Sequence, residues 1–447
     1  MESTDRDALR RFREALKIPT WWPPGALPGD SAAEAPLRSF QEFLAENYPA
    51  FHLTAERWVL SPYSLVYRWA GTSGGNDGAV LLLAHYDVVP AETEKWSVDP
   101  FGAEVKGGCI YGRGSLDMKG ILSGIMEAAE TLCAAGHRPG RDIWFAFGGD
   151  EERTGIQGAM ETARWFSRRG QRFEWILDEG TPIAEGQIKG IDTPLALISM
   201  EEKGFLSLDL RVAQEPGHAS RPPDVQAAAV LGRALCRIAK RPFPCRLVPA
   251  AEHFFREAAP FMKGIPGFVM RHARVFGPLF FAAVSSSPAI MSMLRTTVAM
   301  TQLEGSAADN VMPSEVRAVI NLRLLQPWTV ERAMTFIKKA INDERVQVTI
   351  HGLGTGPVPA GGGGSSGLAA IRQALNAAWP GIPMLPFIMV ATTDSRHYRE
   401  LAGDIFRFSP HCLTAEALSG IHGHDERISE ENFRRGLLFY TKLLGAL

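Results

Sequence analysis

Three apolar runs constrain this chain more than any other feature, because each breaks off at a histidine or an acid. Residues 79–84 lead into His85 and Asp87, residues 143–147 into Asp150, Glu151 and Glu152, and residues 175–177 into Asp178 and Glu179. Strands that are apolar throughout are buried on both faces, which calls for a mostly parallel sheet covered by helices. One such helix is readable at 119–134, where apolar residues recur at helical spacing and stop before Gly136, a C-cap residue. The predicted fold is α/β, a mostly parallel central sheet with helices on both faces. Ligands bind beyond the carboxyl ends of strands in this architecture, so the polar residues fall on one functional edge.

After residue 204 the pattern changes. Leu206, Leu208, Leu210 and Val212 alternate with Ser207, Asp209 and Arg211, the period of a half-exposed strand. The same alternation returns at Val316–Leu324 and at Val346, Val348 and Ile350, with helical stretches at 225–239 and 330–341. This predicts an inserted α+β domain with an antiparallel sheet. At 447 residues the chain is longer than one core usually grows. The expected division is 1–199 and 355–447 for the first domain and 200–354 for the insertion. Residues 361–367, rich in glycine, read as a flexible connector; a phosphate loop would need a Lys-Ser/Thr pair that is missing here.

With 47 basic and 49 acidic residues the net charge is -2, which supplies no field to attract nucleic acid. A small substrate fits better. Cys109, Cys133, Cys236, Cys245 and Cys412 are scattered without CxxC spacing, so neither a disulfide framework nor a thiolate zinc site is indicated. A cytoplasmic setting is expected, since Asp5, Arg6, Asp7, Arg10 and Arg11 stand where a secretory signal would need an apolar core. Residues 275–294 carry no charge, but Gly277, Pro278 and Pro288 interrupt them, and no membrane span is expected.

His85, Asp87, Glu151, Glu152, Asp178 and Glu179 share the functional edge, and Asp117 can join them from the loop that precedes the helix at 119. Singly, each has a plain structural reading: Asp117 as a helix N-cap, His85 as a satisfied histidine, Glu151 and Glu152 as a solvated helix start. Gathered together, the carboxylates would repel one another unless cations neutralised them. A divalent metal pair resolves that conflict.

The strings LLLAHYDVVP, YGRGSLDMKG, GGDEE, ILDEG, GHASRPP, NVMPSE, TDSR and IHGHDE occur in this order. Together they resemble the co-catalytic zinc peptidase family of aminoacylase, carboxypeptidase S and the N-acyl amino acid hydrolases, over nearly the whole chain. The resemblance implies two zinc ions per subunit, with His85 on one, Glu152 on the other and Asp117 bridging. It implies that Glu151 is the general base, that Asp87 orients His85, and that His422 completes the second metal, with His424 a weaker candidate. For the carboxylate after the third strand, family alignment selects Glu179 while counting along an extended strand selects Asp178. The same resemblance implies a cis peptide between Asp117 and Met118.

In the inserted domain, the resemblance makes His218 an oxyanion donor, often supplied across a homodimer formed through this lid. Asn310 would bind polar groups of the substrate and Arg323 its free carboxylate, with Arg396 a further candidate. The implied reaction is hydrolysis of the amide bond of an N-acyl amino acid or short peptide. A dipeptidase or a deacetylating aminoacylase is the alternative. A metal-stabilised binding module would have no use for Glu151. The Phe-rich insertion at 254–294 reads either as an apolar acyl pocket or as a dimer contact or larger lid core.

Overall fold

The computed structural model describes residues 2–73, 78–188, 190–285, 287–361 and 364–447. Two compact units result, each described by itself: Met1–Met200 with Ala360–Pro386 and Thr393–Leu447, and Glu201–Pro359 with Phe387–Thr392. Residues 387–392 thus join the second unit, although the sequence pattern groups them with the C-terminal segment.

The first unit is built on a ten-stranded sheet. At its heart Ile143–Gly148, Val80–His85, Phe173–Asp178 and Ala402–Arg407 lie side by side, all parallel. Val80–His85 is buried along its whole length, as its unbroken apolar run requires. The chain passes from this strand to Ile143–Gly148 on one side and then to Phe173–Asp178 on the other. Its carboxyl end is therefore the point where strand order reverses and a crevice opens. The helix expected at 119–134 is Lys119–Ala134, and Gly136 follows it at φ +74°. At Gly149 a Cβ atom would meet the Tyr86 ring at 2.7 Å, so the turn leaving Ile143–Gly148 has room only for glycine.

The second unit holds a four-stranded antiparallel sheet in the order Thr297–Glu304, Glu315–Leu324, Gly204–Ala213, Gln347–Thr355. Leu206, Leu208 and Leu210 pair with Leu322, Ile320 and Ala318 and pack on helices Ala227–Lys240 and Val330–Ile341. The edge strand Thr297–Glu304 escapes sequence reading because most of it is exposed and carries no buried alternation. The longer of this unit's two segments begins and ends at a two-way backbone pair: Glu202 N donates to Val358 O at 3.0 Å and Val358 N donates to Glu202 O at 2.8 Å.

The uncharged stretch 275–294 is broken into the short helices Gly277–Val284 and Pro288–Leu294, the second capped by the Ser287 side chain, and no helix among the described residues is long and apolar enough to cross a membrane. One expectation changes. In the glycine-rich stretch 361–367, residues 362 and 363 lie outside the described residues. Its two ends are packed rather than loose: a Cβ on Gly361 would stand 2.2 Å from Gly403 O, and one on Gly367 would stand 2.5 Å from Phe406.

Candidate metal centre

Strand geometry delivers the first ligand candidates. His85 ends its strand level with Gly148 of the neighbour, so residues 150–152 emerge just beyond it. His85 Nε2 lies 3.0 Å from Asp117 Oδ1 and 3.5 Å from Glu179 Oε1. His422 Nε2 lies 3.1 Å from Asp117 Oδ2 and 3.1 Å from Glu152 Oε1. Two triads result, His85 with Asp117 and Glu179, and Asp117 with Glu152 and His422, each with its ligand atoms within 4.8 Å of one another. Asp117 is common to both. The helix that follows it starts after Met118 with no side-chain cap, so the Asp117 carboxylate is not spent on capping. The Asp117–Met118 peptide is cis.

Asp178 stands in neither triad. Its carboxylate accepts from Ser395 N at 2.9 Å and from Glu179 N at 2.9 Å, because the last residue of the strand points back into the sheet while the next one clears its edge. Geometry therefore favours Glu179. His424 is exposed and also outside both triads.

Asp87 is a hub. Its carboxylate stands 3.3 Å from His85 Nδ1 and accepts the N–H of Glu151 at 3.2 Å and of Glu152 at 3.1 Å. Those two amides open a 3-10 turn, Glu151–Arg153, and not the extended backbone that adjacent glutamates of divided role suggest. About three residues per turn sets neighbouring side chains about 120° apart, so the two carboxylates can face different ways.

The electrostatics describe a site in conflict. Burial opposes charge on His85, yet Glu179, Asp117 and Asp87 outweigh it and raise its pKa well above the ordinary imidazole value. Hydrogen bonds that His422 donates to the Asp117 and Glu152 carboxylates raise it to about 10. Burial and then Asp117 raise Glu179 to about 8, and burial drives Glu151 well above the carboxylate range despite His85, with Glu179, Asp394 and Glu152 adding to the rise. Metal ligation requires neutral imidazoles and ionised carboxylates. A divalent cation held by these triads would favour both, and paired oxygen and nitrogen donors suit zinc.

Sequence reading overlooks the group that holds the Asp117 loop. Glu426 is fully buried; its Oε2 accepts from Arg113 Nη1 at 2.7 Å and Gly114 N at 3.1 Å, and its Oε1 accepts from Leu116 N at 2.8 Å and Asp117 N at 3.2 Å. The available signal is an acid four residues past His422. Removing one partner of a buried ion pair leaves the other uncompensated, so Glu426→Ala is expected to cost about 3–5 kcal/mol of stability, read by urea unfolding. A loss below about 1 kcal/mol would show that the clamp does not matter. Lys119 is also buried, its pKa lowered by burial to about 7, with Nζ donating to Ile18 O at 2.6 Å and Ala15 O at 3.2 Å.

The remaining candidates have other surroundings. Arg396 donates to Thr154 O at 2.7 Å and Thr393 O at 3.1 Å, a loop-bracing role for at least two of its nitrogens. In the second unit, residues Gly217–His218 pair with Val311–Met312, and Ala219 N donates to Asn310 O at 3.0 Å, which brings His218 and Asn310 onto one short ribbon. His218 Nδ1 accepts from Ser220 N at 3.1 Å, so Nε2 carries the proton and can donate. Arg323 reaches Asn321 Oδ1 at 3.2 Å and Thr392 Oγ1 at 3.1 Å, its guanidinium 4.9 Å from the centre of the Phe205 ring.

Residues 81–446 match peptidase family M20/M25/M40. The N-fatty-acyl-amino acid synthase/hydrolase PM20D1 of Xenopus tropicalis is 32% identical over 447 residues, covering 99% of this chain and 86% of that one. Probable carboxypeptidase S-like 2 of Dictyostelium discoideum is 32% identical over 418 residues, covering 92% and 79%. In fold, the chain is similar to the M20 family metallo-carboxypeptidase Sso-CP2 from Sulfolobus solfataricus, with a TM-score of 0.73 at 15% identity and 98% of each chain covered. Human carnosine dipeptidase 1 gives 0.72 at 15% identity, covering 100% and 97%.

Proposed function

Because this chain belongs to peptidase family M20/M25/M40, a family of hydrolytic metalloenzymes, we propose that it is a two-zinc hydrolase of N-acyl amino acids that carry a free carboxylate. The observation that carries the reading is the pair of His–carboxylate triads joined at Asp117, with Glu151 beside them on the same turn as Glu152. His85, Asp117 and Glu179 would hold one ion, and Asp117, Glu152 and His422 the other. Bound zinc supplies Lewis acidity, lowering the pKa of water and polarising a carbonyl. Glu151 takes the proton from the attacking water and delivers it to the leaving nitrogen. Asp87 keeps the imidazole of His85 and the backbone of both glutamates in register.

His218, through its Nε2–H, is the donor for the developing oxyanion, Asn310 binds substrate polar groups, and Arg323 grips the carboxylate with its planar fork. The reading includes a homodimer formed through the second unit. The exposed edge strand Thr297–Glu304, with Leu303 70% exposed, offers unpaired backbone for a second copy, and sedimentation velocity distinguishes one chain from two.

A hydrolysis panel with zinc present tests the substrate class: N-acetyl, N-octanoyl and N-lauroyl amino acids, their methyl esters, and dipeptides. The free acids of the acyl series should turn over and the methyl esters should react at least tenfold more slowly. A chelator should abolish turnover and added zinc restore it. Full activity after verified metal removal would end the two-zinc reading, and turnover of dipeptides alone would end the N-acyl assignment.

A further inference from the structure

A cleft of about 260 Å³ opens beside the second triad, its lining including Trp22, Pro24, Val88 and Val89 together with the charged Glu152 and Arg153. One of its walls is the segment around residue 22, laid alongside the chain that leaves the central strand after His85. Val88 N donates to Thr20 O at 3.2 Å, Thr20 Oγ1 donates to Tyr86 O, and Trp21 bridges Val88 in parallel. Trp22 is pinned from two sides, with its ring stacked 5.5 Å from that of Tyr63 and the Arg153 guanidinium 4.6 Å from its centre. Arg153, itself part of the lining, also donates to Ala26 O at 3.2 Å. The result is a preformed slot, largely of carbon, with a metal-ligand candidate in its lining.

We propose that this cleft is the acyl-chain subsite, with Trp22, Pro24 and Val89 as the residues that set chain-length preference. The assignment rests on the N-acyl amino acid reading. The cleft reaches Glu152 and so adjoins the pair of triads where that reading puts the scissile carbonyl, which leaves a chain attached to the carbonyl room to continue into it. A methylene chain meets proline, valine and indole surfaces there, whereas an amino-acid carboxylate would find among the lining residues only the Arg153 guanidinium as a cationic partner, already stacked on Trp22 and bonded to Ala26 O. The Phe-rich insertion is then not needed to recognise the chain.

Each methylene taken out of water contributes about fourfold in affinity, so kcat/KM should climb by about that factor per carbon along the acyl series until the cleft is full. Val89→Trp and Pro24→Phe, which fill the slot from a half-buried and an exposed position, should each lower the lauroyl-to-acetyl ratio of kcat/KM at least tenfold. Calorimetric binding of octanoate and laurate to the zinc-loaded protein should weaken in parallel. Zinc content and unfolding midpoint identify a variant that has not folded, in which case the other one decides.

If wild-type protein hydrolyses the acyl series and both folded variants keep its chain-length profile, the subsite is wrong. A change in preference for the amino-acid side chain, with the acyl profile unmoved, overturns it equally. If no N-acyl amino acid is hydrolysed but laurate binds and the substitutions weaken it, the cleft stands as a chain site and the substrate reading fails.

Discussion

Replacing Glu151 by glutamine is expected to lower kcat by roughly 10²–10⁴-fold, the range typical for loss of a general base. Glutamine keeps the size and much of the hydrogen-bonding capacity of the side chain, but it cannot take a proton. The Glu151 amide held by Asp87 at 3.2 Å is backbone and is untouched by the change. Glu152, and with it the second triad, stays in place. Zinc content by mass spectrometry or atomic absorption should therefore equal that of the wild type. Loss of metal together with activity would exchange the roles of the two glutamates, and unchanged turnover would remove Glu151 from the mechanism.

Asp117→Ala should be more damaging, because one carboxylate serves two triads. His85 Nε2 at 3.0 Å and His422 Nε2 at 3.1 Å face its two oxygens, and without it each remaining set falls to one imidazole and one carboxylate. Zinc should drop from two equivalents to fewer than one per chain, with turnover falling at least as far as in Glu151→Gln. Glu152→Ala is the informative comparison, since it breaks only the second triad and should leave one ion. Equal metal loss in the two variants would mean that Asp117 is not shared.

The sequence carries the site well wherever a residue is announced by a strand end. The runs before His85, Glu151 and Glu179 are legible because burial on both faces leaves no polar residue until the strand escapes the sheet. Asp178 and Glu179 remain inseparable at that level, because which of two adjacent carboxylates clears the edge depends on strand register, and register appears only in three dimensions. Glu426 is hidden for another reason: its partners, Arg113 and the amides of Gly114, Leu116 and Asp117, lie some 310 residues away, and nothing local marks a glutamate as buried. The cleft at Trp22 is similarly invisible, being made by laying residues 20–25 beside residues 86–90. The antiparallel sheet of the second unit is legible at Gly204–Ala213, Glu315–Leu324 and the start of the edge strand Gln347–Thr355, where Val348 is buried, and silent at Thr297–Glu304, where an exposed edge imposes no alternation.

The two-way pairing of Glu202 with Val358 has a consequence for how such a chain diversifies. All the residues between enter and return through neighbouring positions, so the connection behaves as a closed loop whose ends are already joined. The entropy of closing a loop grows only as the logarithm of its length, roughly 0.6 kcal/mol for each doubling. Segments such as the short helices from Pro249 to Leu294 can therefore be gained, lost or exchanged at little thermodynamic cost to the fold at the point of insertion. The metal-ligand candidates His85, Asp117, Glu152, Glu179 and His422 all lie in the first unit and are untouched by such changes, which are confined to the inserted unit.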